Sequence, residues 1–136
     1  MPVLQMRIVV EADDYEEAVR FYRDVLGMPE ELAVSGPDGA RVTILDAGRA
    51  TLELANPAQK RYIDEVEVGQ QVAPRLRVAF EVADTAEATR RLIEAGAELL
   101  APPTKTPWRS LNARLRAPAG LQLTLFQELA SQDPGD

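Results

Sequence analysis

Two arginine–glutamate pairs stand in matching surroundings 70 residues apart. Residues 6–20 read MRIVVEADDYEEAVR and residues 76–90 read LRVAFEVADTAEATR. Arg7 matches Arg77, Glu11 matches Glu81, and Asp14, Glu17 and Arg20 match Asp84, Glu87 and Arg90. A guanidinium is a rigid fork of donors that fits carboxylate, phosphate or enolate oxygens. A glutamate shielded from water has a raised pKa and can serve as a general base. Glu53, on a separate alternating segment, is the candidate for that role. A nearby arginine would oppose the shift, and the sequence leaves the sign open.

Other chemistry is excluded by composition. The chain has neither cysteine nor histidine. Disulfides, thiolate chemistry and Cys-ligated zinc are absent, as are the usual neutral-pH base and the commonest metal ligand. The oxygen ligands that remain suit magnesium, calcium or manganese better than zinc. Ser35 and Ser110 lie in loop-like stretches with no histidine to activate them. The run Ser35-Gly36-Pro37-Asp38-Gly39 is a turn, since no Gly-Lys-Ser/Thr follows it.

The elements that position these residues read as two copies of one plan. Met6, Ile8 and Val10 alternate with Arg7, Val9 and Glu11, the period of a strand. Asp14 with Glu17 forms a capping box, and Ala18, Phe21, Tyr22, Val25 and Leu26 give the following helix an apolar stripe up to Gly27. Strand-like pieces follow at Glu31–Val34, Arg41–Leu45 and Ala50–Ala55. The second copy has Leu76–Ala83, a helix capped by Asp84 and ended by Gly96, and strands at Glu98–Ala101, Asn112–Arg116 and Leu121–Gln127. Pro102-Pro103 and Pro118-Ala119-Gly120 mark turns.

The expected fold is therefore α+β: two tandem βαβββ modules, about 5–55 and 76–128, whose curled mixed sheets share a concave cleft. Residues 56–75 form a linker with no clear period, in which Lys60–Val66 suits a short helix. The linker suits a lid over the cleft or a contact with a second subunit. The tail, 129–136, is polar and expected to fray.

A chain of 136 residues with 46% apolar content is one globular domain. The net charge of −7 argues against a nucleic-acid partner, which needs a basic footprint. No apolar run approaches the roughly 20 residues that span a bilayer. MPVLQMRIVVEADD has no basic stretch or cleavage-type motif, so a cytoplasmic location is expected.

Residues Asp14…Phe21-Tyr22-Arg23-Asp24-Val25-Leu26-Gly27 resemble the "D…FYrdvLG" signature of the vicinal oxygen chelate superfamily. Pro107-Trp108…Ala117-Pro118-Ala119-Gly120-Leu121-Gln122-Leu123 is similar to its "pWG…DPdGn-ieL" ending, with Arg109 for the usual Gly and Ala117 for the usual Asp. The superfamily includes glyoxalase I, extradiol dioxygenases, fosfomycin-resistance thiol transferases and bleomycin-resistance proteins. The resemblance implies a homodimer and places the family's four metal-ligand positions at Arg7, Glu53, Arg77 and Thr124. Only Glu53 is an acceptable ligand there, and the arginines would repel a cation. No metal and no cofactor is therefore expected.

Alternation places Arg7, Glu11, Glu53, Arg77, Glu81 and Thr124 on the face away from the helices. Thr51 and Gln122 share that phase. Trp108 and Tyr62 are packing residues or aromatic walls for a planar ligand. Two arrangements fit: Arg–Glu pairs fill the cleft, or part of it stays open to a ligand. The leading expectation is a metal-independent small-molecule binding protein of the bleomycin-resistance type. One alternative is a glyoxalase-like lyase or isomerase, or a dioxygenase-like enzyme, using Glu53 with Arg7 and Arg77. Another is a structural or regulatory dimer with a closed cavity.

Overall fold

The computed structural model describes residues 2–25, 27–117 and 120–130, and of Phe21 its backbone alone. The first half contains β1 (Gln5–Glu11), α1 (Tyr15–Val19), β2 (Glu30–Ser35), β3 (Arg41–Asp46) and β4 (Ala50–Ala55). Helix α2 (Pro57–Glu67) follows. The second half contains β5 (Leu76–Glu81), α3 (Thr85–Glu94), β6 (Glu98–Lys105), β7 (Ser110–Arg116) and β8 (Gln122–Glu128). Both halves are βαβββ.

The strands form one mixed sheet in the order β2-β3-β4-β1-β5-β8-β7-β6. That order is symmetric about the β1–β5 seam. β1 runs parallel to β4, and β5 runs parallel to β8. At the antiparallel seam Ile8 faces Val78, so Arg7 meets Ala79 and Val9 meets Arg77. The two repeat arginines thus flank one central pair. The sheet does not close, because β2 and β6 are left as edges.

Period-2 alternation sends each module's apolar residues toward its own helix. In the first, Tyr15, Val19, Leu45 and Leu54 form a buried cluster backed by Val10, Tyr22 and Leu52. In the second, Val82, Ala88, Ala113, Leu115 and Leu125 do the same, backed by Phe80 and Leu92. The strand residues between them face the other way. Asp14 and Asp84 cap their helices by accepting from the backbone N–H of Glu17 and Glu87 at 3.2 and 3.0 Å.

Several local expectations change. The first helix is α-helical only over Tyr15–Val19 and continues as a π-helix over Arg20–Val25. Pro102-Pro103 is not a turn. It lies inside β6, on the sheet edge, where register shifts occur and a missing N–H costs no ladder bond. The linker holds a helix longer than the expected one, because Asn56 caps it and Pro57 opens it. Of the turn at 118–120 only Gly120 is described, with φ of 68°. The end of the tail, 131–136, lies outside the described residues.

Candidate functional site

The face of the sheet away from the two cores lines a cavity of about 640 Å³. Its floor includes Arg7, Val9, Glu53, Arg77, Ala79 and Thr124. Register makes part of this floor a single row. Leu32 pairs with Ile44, Ile44 with Glu53, Glu53 with Val9, and Val9 with Arg77. The row crosses five strands, from an apolar end on β2 to a guanidinium on β5.

Helix α2 and the loop before β7 complete the walls. Asn56 fixes the helix start: its Oδ1 accepts from the N–H of Gln59 at 2.8 Å and of Arg41 at 3.1 Å. Its Nδ2 donates to the Gly39 carbonyl at 2.8 Å. The other end is fixed by charge. Arg114 on β7, 0% exposed, donates to Asp64 Oδ1 at 2.9 Å and to Glu67 Oε1 at 2.7 Å. Asn112 Nδ2 donates to Glu67 Oε2 at 2.7 Å, and Gln122 Oε1 accepts from Arg114 at 2.9 Å. Asp64 Oδ2 also accepts from the backbone N–H of Val72 and Ala73 at 3.0 and 2.9 Å. One buried charge cluster thus holds both the helix and the chain returning from it. Tyr62 on α2 meets Trp108 with ring centroids 6.0 Å apart, and Trp108 remains 42% exposed beside the cavity.

The two repeat arginines have diverged in partnership. Arg7 Nε donates to Gln5 Oε1 at 2.8 Å, and its other nitrogens meet Glu53 at 3.4 Å and Glu128 at 3.2 Å. Its guanidinium lies over the Phe126 ring, 4.4 Å from the centroid. Arg77 donates to Thr124 Oγ1 at 2.9 Å and has no carboxylate at ion-pair distance among the described residues. Burial pulls its pKa down, Glu67 pushes it up and Arg114 lowers it again. Burial pushes the Glu53 carboxyl above its ordinary value, against the pull of Arg7 and Arg77. Desolvation therefore wins over the nearby cations at Glu53.

Of the residues singled out from sequence, Arg7, Glu11, Glu53, Arg77, Trp108 and Thr124 line the cavity. Glu81 does not. It sits at the end of β5 opposite Gln5, where burial and the charge of Glu128 push its carboxyl up. Thr51 is buried away from the cavity with an unpartnered hydroxyl, and Gln122 is held by Arg114 and the Val72 carbonyl. Ser110 is not in a loop. It opens β7, bonded to Thr106 and Asn112. Arg–Glu pairing occurs without filling the cleft, because the second arginine–carboxylate cluster is spent on anchoring α2. A closed cavity is thereby corrected.

Sequence reasoning missed Asp64, Glu67, Asn112 and Arg114. Their signal is complementary charge. Asn112 and Arg114 share one face of β7, alternating with Leu111, Ala113 and Leu115 on the other, and Asp64 and Glu67 share one face of a helix by their i, i+3 spacing.

The donor set does not fit a metal of the kind the resemblance implies. Arg7 and Arg77 hold two of the four positions. Glu53 faces Arg7, and the Thr124 hydroxyl accepts from Arg77. No group of three acidic, His or Cys residues that could hold a metal ion occurs among the described residues. No helix among them is long and apolar enough to cross a membrane.

Comparison with known proteins follows this geometry. A search of curated proteins returns no match. Among solved structures, a hypothetical protein of Bacillus halodurans is similar with a TM-score of 0.68 at 16% identity, covering 97% of each chain. Methylmalonyl-CoA epimerase of Mycobacterium tuberculosis is similar at 0.65 and 21%, covering 94% of this chain and 88% of that one. A 4-hydroxymandelate synthase variant of Streptomyces coelicolor reaches 0.64 and 27%, covering 98% of this chain and 41% of that one. The family model for the Glyoxalase/Bleomycin resistance protein/Dioxygenase superfamily matches residues 6–125, and the chain belongs to that superfamily.

Proposed function

We propose that this chain is a small-molecule binding protein of the bleomycin-resistance type, which holds an organic ligand in the cleft without a metal ion. The observation that carries the reading is the combination of an open cavity of about 640 Å³ with arginines at two of the four positions where a metal would be held. The volume suits a drug-sized organic molecule. The walls mix apolar side chains with a few oriented polar groups, the usual make-up of such sites. Fold alone supports no particular ligand.

A second reading is proton transfer, favoured by one observation: burial raises the pKa of Glu53 in the same row as Arg77. Glu53 would remove a proton from a carbon acid, and Arg77 would stabilise the resulting oxyanion.

A thermal-shift screen of chelator-treated protein against a metabolite and antibiotic library tests the main reading. At least one compound should raise Tm in a saturable way, with one molecule per chain seen by native mass spectrometry. A library that produces no shift, or shifts only with added divalent metal, overturns it. Turnover of a hit, lost in Glu53→Gln, would select the second reading.

A further inference from the structure

We infer that the cleft selects amphipathic monocarboxylates, with the carboxylate on Arg77 and the apolar body lying along the row toward Ile44 and Leu32. The inference rests on the cleft-binding reading above and adds the ligand class.

Three features carry it. The first is the unequal partnership of the arginines. Arg7 is committed on every side, to Gln5, Glu53, Glu128 and the Phe126 ring. Arg77 gives one hydrogen bond to a neutral hydroxyl and lines the cavity. A guanidinium with donors to spare at the edge of a low-dielectric space favours an anion, and its planar fork suits a carboxylate.

The second feature is the number of charges nearby. Glu53, Glu67 and Asp64 all bear electrostatically on Arg77. The cavity lining carries six carboxylates against five cations, so the surroundings of Arg77 are acidic in balance. A singly charged group is accommodated, while a phosphate dianion meets repulsion that one arginine does not offset.

The third feature is direction. From Arg77 the floor continues through Val9 and Glu53 to Ile44. Three strand steps of roughly 4.8 Å span on the order of 14 Å along the sheet, apolar except at Glu53, whose carboxylate is engaged by Arg7. The adjacent row offers Val34, Val42 and Ala55, and Tyr62, Ile63 and Trp108 form the opposing wall. A ligand charged at both ends would leave its second charge against this apolar end. Phenylbutyrate has the required form: one carboxylate, a short stem and a flat ring for the Tyr62–Trp108 side.

Trp108 is the only tryptophan, so its emission reports on the cleft directly. Phenylbutyrate, phenylbutanol and phenylbutyl phosphate are titrated against the full chain, wild type, Arg77→Gln and Arg77→Lys. Wild type should prefer the acid over the alcohol by about tenfold or more, the size of a charge-assisted hydrogen bond. Arg77→Gln should lose that preference while still binding the alcohol, which also shows that the variant is folded. Arg77→Lys should keep part of it. Equal wild-type affinity for acid and alcohol overturns the inference and leaves the cleft reading standing. So does an acid preference that survives in Arg77→Gln, or tighter binding of the phosphate. If none of the three probes binds, the inference fails. The broader reading falls only if the whole compound library is also silent.

Discussion

Arg77 faces Val9 across the seam between the two modules, and Val9 in turn faces Glu53 on β4. One apolar residue therefore separates Arg77, whose hydrogen bond goes to a neutral hydroxyl, from a desolvated acid on the floor. The arrangement keeps Arg77 and Glu53 close enough to influence each other's ionisation without forming an ion pair. It also explains why the repeat is only formally symmetric, since Arg7 reaches Glu53 and Arg77 does not.

The pH dependence of Glu53 follows from its raised pKa. The folded state holds this proton more tightly than the unfolded state, whose value is near the ordinary 4.5. Glu53 thus costs nothing in stability well below that pH, and its cost grows as pH rises through the folded-state pKa. Glu53→Gln mimics the protonated form. Its stability relative to wild type should improve as pH rises from the unfolded value, as read by denaturant unfolding across the range. A difference that moves toward wild type instead would mean that Arg7 and Arg77 outweigh burial.

Removing the Arg7 partner should push Glu53 further up. In Arg7→Met the acid stays buried while its ion pair is lost. Carboxyl-detected NMR titration should show Glu53 moving to higher pH. An unchanged Glu53 titration would mean that Arg7 does not oppose burial there.

The anchor of α2 should dominate the effect of changes at Arg114. Arg114→Leu leaves Glu67 buried without its cation and Asp64 with only Lys60 at 3.8 Å, at a cost of about 3–5 kcal/mol. Hydrogen exchange should show α2 opening before the sheet. A loss below about 1 kcal/mol, within the range of a surface pair, would mean that the cluster does not hold the helix.

Asn56→Ala should have a smaller effect of the same kind. It removes the helix cap and the bonds to Arg41 and Gly39 together. A loss of about 1–2 kcal/mol is expected from urea unfolding. Asn56→Asp keeps the acceptor and should recover part of it.

The modules were legible because alternation, capping and terminal glycines are local signals. Arg7, Glu53, Arg77 and Thr124 fell on the cleft because strand phase alone decides which face a residue takes. Phase does not say where a cavity ends, and so Glu81 was placed on it although the cavity lining stops short of it. The α2 anchor was hidden for another reason. Asp64 and Glu67 lie some fifty residues from Arg114 in sequence, and a buried acid looks like an exposed one until its partner is known. The divergence of Arg7 from Arg77 was likewise invisible, because it depends on Gln5 and Glu128 reaching one arginine and not the other.

The claim that the cleft works without a metal is tested most directly by calorimetric titration of a screening hit in chelator. The protein is titrated in excess EDTA and again with manganese or zinc restored. The account predicts one site per chain and the same Kd in both conditions. A Kd that collapses in EDTA and returns with metal would contradict it.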